Sequence, residues 1–190
     1  IIDHADVRRT LMTIKSYLDA MRYMNYDNHL MLDLEYFAEG ELKDFGKERC
    51  GILTPITKAW ISDLSVELTS MAIQVYGGMG YVEETGIAQY FRDARIAPIY
   101  AGTNGIQAED LVFRKITLND GKAVESLLKE MRTNISSMKE HENLEPLSEI
   151  LERHVAEIEE ATQYLLIELS KGNLAGVSAS GTPYLKMFGQ

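Results

Sequence analysis

One cysteine, Cys50, stands in 190 residues, so the chain cannot close an internal disulfide. A lone thiol suits a reducing, cytoplasmic setting. Proline is scarce as well, with four residues, which leaves room for long uninterrupted helices. Basic residues are outnumbered: 19 Lys and Arg against 29 Asp and Glu give a formal net charge of -10. Such a chain has little with which to neutralise phosphates, which argues against nucleic acid and against an anionic membrane surface. Long apolar runs are missing too. Stretches such as Leu30-Met31-Leu32 are broken by charge within a turn or two, far short of the roughly 18 residues a membrane span needs. The opening Ile1-Ile2-Asp3-His4-Ala5-Asp6 is acidic where a secretory signal would be basic. With no initiator methionine, a fragment or a processed product is expected.

What remains is ordinary for a globular protein, 45% hydrophobic and 25% charged, and long enough for one sizeable core or two small helical units. Apolar residues recur at spacings of three and four, which predicts an all-α chain. Val7, Leu11, Ile14, Leu18 and Met21 draw one stripe along a first helix from about Asp6 to Phe37. Gly40, Gly46 and Gly51 then read as a polar connection. Thr54 followed by Pro55 reads as the start of a second helix, since a hydroxyl caps and proline has no N–H to leave unpaired. That helix carries Trp60, Leu64, Leu68, Met71 and Val75 and stops at Gly77-Gly78. Shorter helices are expected over about Glu84–Ala94 and Thr103–Lys115, broken by Pro98 and Gly102. The segment Thr117-Leu118-Asn119-Asp120-Gly121 is the expected boundary between two units, 1–116 and 117–190. Beyond it come helices over about Lys122–His141 and Pro146–Lys171. A small-residue tail from Asn173 then leads to a new helix at Tyr184-Leu185-Lys186-Met187-Phe188, which looks truncated.

Two segments invite a chemical reading. The glycines of Gln74-Val75-Tyr76-Gly77-Gly78-Met79-Gly80-Tyr81 could suggest a dinucleotide loop. Such a loop follows a strand, however, and these follow a helix, so they read as a helix stop. In Ile99-Tyr100-Ala101-Gly102-Thr103-Asn104-Gly105-Ile106-Gln107, Pro98 and Gly102 shape a turn and Thr103 can cap the next helix. The free N–H groups of that helix could instead receive an anionic or polar ligand. Other candidates read blandly. His4, His29, His141 and His154 lack metal-ligand spacing, and His154 reads as a packed core histidine. Nine methionines read as core or subunit-interface filler. Cys50 reads as inert, and Glu157, Glu159 and Glu160 as a solvated helix face.

Taken together, AIQVYGGMGY (72–81), FRDARI (91–96) and IYAGTNGIQ (99–107) resemble, in order and spacing, the C-terminal helical domain of acyl-CoA dehydrogenases. The resemblance covers about Ile1–Ile116 and implies a bundle of four helices. The rest is similar, on its helical pattern and Gly181-Thr182-Pro183-Tyr184-Leu185, to the smaller helical domain appended in the subgroup that includes 3-methylmercaptopropionyl-CoA dehydrogenase. The resemblance implies an FAD enzyme that desaturates an acyl-CoA thioester at its α and β carbons. An electron-transfer flavoprotein or similar acceptor would reoxidise it, and a homodimer or dimer of dimers would be its assembly. It assigns Gln74 and Gly78 to FAD bound in a neighbouring subunit, and Thr103, Asn104 and Gly105 to flavin contact at a helix start. Tyr100, Ala101 and Gly102 would lie by the acyl thioester. Arg92 and Asp93 match a family pair and read as a structural ion pair.

One departure matters. In many members the residue between this Tyr and Gly is the glutamate that takes the α proton, a role needing a desolvated carboxylate with a raised pKa. Here it is Ala101, whose methyl group accepts nothing. Three explanations compete: the glutamate stands on an earlier helix upstream of Ile1, Ala101 is a deliberate substitution, or the protein is an inactive relative. Glu83, Glu84, Glu109 and Asp110 are poor replacements by position. The rival to an oxidoreductase is a non-catalytic helical interaction module.

Overall fold

A long helix opens the chain as the apolar spacing predicts: α1 runs Ala5–Phe37 and α2 runs Gly40–Tyr76. The computed structural model describes residues 1–189, all helices and turns, with no strand among the described residues. Only Ala38 and Glu39 separate α1 from α2, so the two fold back as an antiparallel hairpin. After Gly77 come a single turn α3 (Gly78–Tyr81), a 3₁₀ turn at Glu83–Thr85 and α4 (Ile87–Ile96). Helix α5 (Asn104–Asp110) continues as a π turn over Leu111–Lys115. Helices α6 (Lys122–Met138), α7 (Glu145–Ser170) and α8 (Leu174–Met187) complete the fold.

Three expectations are corrected. Thr54-Pro55 does not start α2, which begins fourteen residues earlier at Gly40. Gly46 and Gly51 lie inside it, and Gly46 is buried where α2 crosses α1. Pro55 is fully buried in the helix interior, and the carbonyl its ring crowds is that of Gly51, four residues back. The Thr54 hydroxyl donates to Asn28 Oδ1 on α1 at 3.4 Å, so tertiary packing overrides a local start signal. The tail after Asn173 is helical over Leu174–Met187, capped by the Asn173 side chain, which accepts from the Gly176 N–H. Its small residues permit close approach: a Cβ at Gly181 would stand 3.2 Å from the carbonyl oxygen of Ala108 on α5. His154 is not a core residue. Its side chain is 38% exposed and lies 3.4 Å from Glu157.

A single apolar core joins the helices. Ile52, Ile56, Trp60 and Leu64 of α2 meet Leu111, Val112 and Ile116 beyond α5. The same core continues through Val124, Leu127 and Leu128 of α6, Val155, Ile158 and Leu165 of α7, Val177 and Tyr184 of α8, and Phe188 just beyond it. At Asn119, Asp120 and Gly121 three successive residues take positive φ (52°, 55° and 85°), which turns the chain sharply into α6. A buried Arg49 on α2 then ties α6 down through Glu130 at 2.8 Å. Ser178 Oγ donates to Glu109 at 2.8 Å, linking α8 to α5.

The core carries one titratable phenol with a measurable consequence. Tyr184 is 2% exposed and lies 2.6 Å from Thr162 Oγ1, whose own hydrogen goes to the Ile158 carbonyl. Burial pushes Tyr184 from 10.0 up to about 12. Between those values the unfolded chain has released the proton and the folded chain retains it, so stability is full below pH 10 and falls as pH rises towards 12. About 2–3 kcal/mol is at stake over that window. Denaturant titrations at stepped alkaline pH should show this decline, and a Tyr184→Phe variant should show a smaller one.

Candidate functional site

The Ile99–Asn104 segment is a tight reversal built by its own sequence. Pro98 follows α4, and the Asn104 N–H returns to the Pro98 carbonyl at 3.0 Å. Inside the loop Ala101 has φ 53° and Gly102 φ 83°, two left-handed residues in succession. Glycine accepts this without cost, while alanine is disfavoured there by its Cβ. Thr103 ends the turn and caps α5, its Oγ1 accepting the Ile106 N–H at 3.3 Å.

Asn104 anchors the turn to α2 through every polar atom of its amide. Its Nδ2 has two hydrogens to share among the Ala59 carbonyl (3.1 Å), Ser62 Oγ (2.9 Å) and Asp63 Oδ1 (2.7 Å), and Ser62 Oγ also donates to the Asn104 Oδ1 at 3.1 Å. Its Oδ1 accepts from Lys58 Nζ at 2.8 Å. An ammonium only donates and a carboxylate only accepts, so the amide orientation is forced. Lys58 also donates to the Gly102 carbonyl at 2.6 Å. Burial holds the Lys58 ammonium below the ordinary lysine pKa, with Asp63 pulling the other way.

A cleft of about 280 Å³ opens between α1, α2 and this turn, lined by Asn25, Lys58, Ile61, Ser65, Tyr100 and Ala101 among others. The surface beside it is apolar and uncovered: Ile99, Tyr100 and Ile106 are 48%, 59% and 54% exposed. Thr103 and Gly105 are exposed at the same place.

Gln74 and Gly78 are elsewhere. They are exposed at the far end of α2 and line none of this cleft. Sixteen residues separate Gln74 from Lys58 along the helix, about 24 Å. Gly77, at φ 63°, ends α2 and turns the chain into α3, as the glycine run predicts for a helix stop. Arg92 does not pair with Asp93. Its guanidinium makes two bonds to Glu83 at 2.8 and 2.7 Å, and Asp93 accepts from Gln89. On one helix, adjacent residues point apart, so a pair at i and i+1 cannot meet.

The carboxylates beyond the turn are engaged. Glu109 accepts from Ser178, and Asp110 lies 3.1 Å from Arg114 and 3.6 Å from Lys115. Neither lines the cleft. Sequence reasoning missed Lys58, Ser62 and Asp63, because each meets the turn across more than forty residues of chain. The sequence signal available was the i, i+4 and i, i+5 placement of a lysine, a serine and an aspartate within one amphipathic helix.

Residues 1–116 match the family model described as acyl-CoA dehydrogenase, C-terminal domain. The 3-methylmercaptopropionyl-CoA dehydrogenase of Ruegeria pomeroyi is 40% identical over 122 residues, 64% of this chain and 21% of that protein. A butyryl-CoA dehydrogenase of Syntrophomonas wolfei is 35% identical over 140 residues, 73% of this chain and 23% of that protein. The chain thus spans about a fifth of the length of these curated relatives. Among solved structures, Caenorhabditis elegans ACDH-11 in complex with C11-CoA superposes with a TM-score of 0.76 over 95% of this chain and 30% of its own, at 20% identity. At that identity the likeness speaks to the fold.

Proposed function

Because the chain belongs to the acyl-CoA dehydrogenase family, we propose that the complete protein is an FAD-dependent oxidoreductase that desaturates an acyl-CoA thioester between its α and β carbons. Residues 1–116 are its C-terminal helical domain and residues 117–190 an appended helical unit. The observation that carries this reading is the Tyr100-Ala101-Gly102 turn, left-handed at Ala101 and Gly102, pinned to α2 beside an open cleft and flanked by uncovered apolar side chains.

FAD, when bound, would supply the acceptor for the β hydrogen, taken as hydride. Thr103 and Gly105, with Asn104 holding their backbone in place, would receive it at the start of α5. Tyr100, Ala101 and Gly102 would line the thioester. Gln74 and Gly78 stand too far along α2 to join that set, which supports their assignment to the flavin of a neighbouring subunit in a homodimer or dimer of dimers. An electron-transfer flavoprotein or similar acceptor would reoxidise the enzyme. Ala101 takes no proton, and the nearby carboxylates are engaged away from the cleft. On this reading the base is sought outside these residues, where the family resemblance sets it on an earlier helix; a deliberate substitution at Ala101 and an inactive relative are the alternatives that the test below separates.

The test uses that longer protein. It should purify with visible flavin absorbance, and an acyl-CoA substrate added without oxygen should bleach that absorbance. Ala101→Glu should not be required for turnover. A protein that neither carries nor takes up FAD would instead be a helical interaction module. If it binds FAD but turns over only as Ala101→Glu, the upstream base is refuted.

A further inference from the structure

The left-handed pair at Ala101 and Gly102 places a disfavoured conformation at the point where the proposed substrate is held. Such a conformation persists only where neighbouring groups fix it. Among the described residues, the side chain bonded to a carbonyl of this turn is that of Lys58, at 2.6 Å from the Gly102 oxygen. The same ammonium reaches Asn104 Oδ1, so it bridges the turn to the first residue of α5. Lys58 lies on α2, which also contributes Thr57, Ile61, Ser62 and Ser65 to the cleft wall. The helix that shapes the cleft thus sets the height of the turn above it.

We propose that Lys58 is a positioning residue for the desaturation reaction, holding the Ala101–Gly102 turn through the Gly102 carbonyl so that the thioester meets the cleft in a productive pose. This rests on the function proposed above. A neutral hydrogen-bonding side chain would hold one carbonyl equally well; the arrangement around Lys58 shows why a cation is used. Asn104 stands between it and Asp63, accepting from the ammonium with Oδ1 and donating to the carboxylate with Nδ2. The positive charge polarises the amide, and the amide's other end meets the negative charge, so both bonds are charge-assisted and shorter than neutral ones. Asp63 on its own helix acts on the ammonium, and among the residues lining the cleft the other ionisable group is Tyr100 on the facing turn, while α1 contributes the neutral Asn25. Burial holds the ammonium below the ordinary lysine value, so it loses its proton, and with it the charge that strengthens these bonds, earlier in an alkaline titration than a surface lysine would.

The experiment compares the native complete protein with its Lys58→Met and Lys58→Arg variants, each loaded with flavin. Flavin content, thermal midpoint, kcat, KM and the pH profile of kcat are measured together. Lys58→Met should keep its flavin and lose about 100-fold in kcat, the scale of a roughly 1 Å misplacement near a reacting centre. Native kcat should fall on the alkaline side as Lys58 deprotonates. Lys58→Arg, whose guanidinium stays charged above pH 12 or so, should recover part of kcat and lack that fall. Native kcat and an unchanged pH profile in Lys58→Met overturn the proposal. Should Lys58→Met fail to fold, a folded Lys58→Arg with the native alkaline fall overturns it equally. A native protein that never reduces its flavin with acyl-CoA would sink the proposed function instead, which separates the two failures.

Discussion

Gly46→Val is expected to destabilise the protein by about 3 kcal/mol or more, a large part of the stability of an ordinary domain. A Cβ at Gly46 would stand 2.6 Å from Leu34 Cβ, 2.8 Å from the Met31 carbonyl oxygen and 2.9 Å from the Glu35 nitrogen. Two of those three atoms are backbone of α1, so no rotamer change relieves the contact. The helices would have to separate along a crossing that runs the length of the α1–α2 hairpin. Alanine decides between two effects of opposite sign. It is favoured over glycine inside a helix by about 1 kcal/mol, while overpacking costs about 1–3 kcal/mol. With contacts this short against backbone, overpacking wins, and Gly46→Ala should lose about 2 kcal/mol. Chemical denaturation should show both midpoints shifted down at constant slope. An unchanged midpoint for Gly46→Ala would mean that α1 and α2 cross more loosely than described.

The same glycine shows what sequence patterns conceal. Gly40, Gly46 and Gly51 read as a connection because glycine punctuates chains, yet at Gly46 the absent side chain serves helix packing. Thr54-Pro55 carries a helix-start signal, but proline at that point meets Gly51, and Thr54 bonds across to Asn28. Local rules cannot register either partner. Elements with self-contained signals were legible: α1 from its apolar stripe, Gly77 as a stop and Thr103 as a cap. The small-residue tail hid α8, since Gly181 and its neighbours are chosen for approach to α5 rather than for helix propensity. At the site, the blocks that carry the family resemblance marked the turn. The groups that hold it, Lys58, Ser62 and Asp63, are some forty residues away, where only the fold brings them close.

Asn104→Leu should produce the largest combined loss, because one amide serves a cation, an anion, a hydroxyl and a backbone carbonyl at once. Leucine is close in size but leaves the Lys58 ammonium short of one acceptor and Asp63 short of its donor. Hydrogen bonds to charged groups contribute about 1.5–3 kcal/mol each. Both side chains retain partial access to water, which puts the expected loss at about 3 kcal/mol rather than the sum. The reaction should suffer more than the fold. With the α5 start freed from α2, the Tyr100–Gly102 turn loses its support, and kcat of the flavin-loaded protein should drop at least about 100-fold. Asn104→Asp separates the two sides of the network. Its carboxylate can still accept from Lys58, but it faces Asp63 with like charge and no donor. If the Lys58 side governs the turn, Asn104→Asp should keep most of kcat while losing stability, and it should regain stability as acid protonates the new carboxyl and restores a donor towards Asp63. If Asn104→Asp and Asn104→Leu lose kcat equally, the Asp63 side holds the turn, and the weight assigned to the Lys58–Gly102 bond is misplaced.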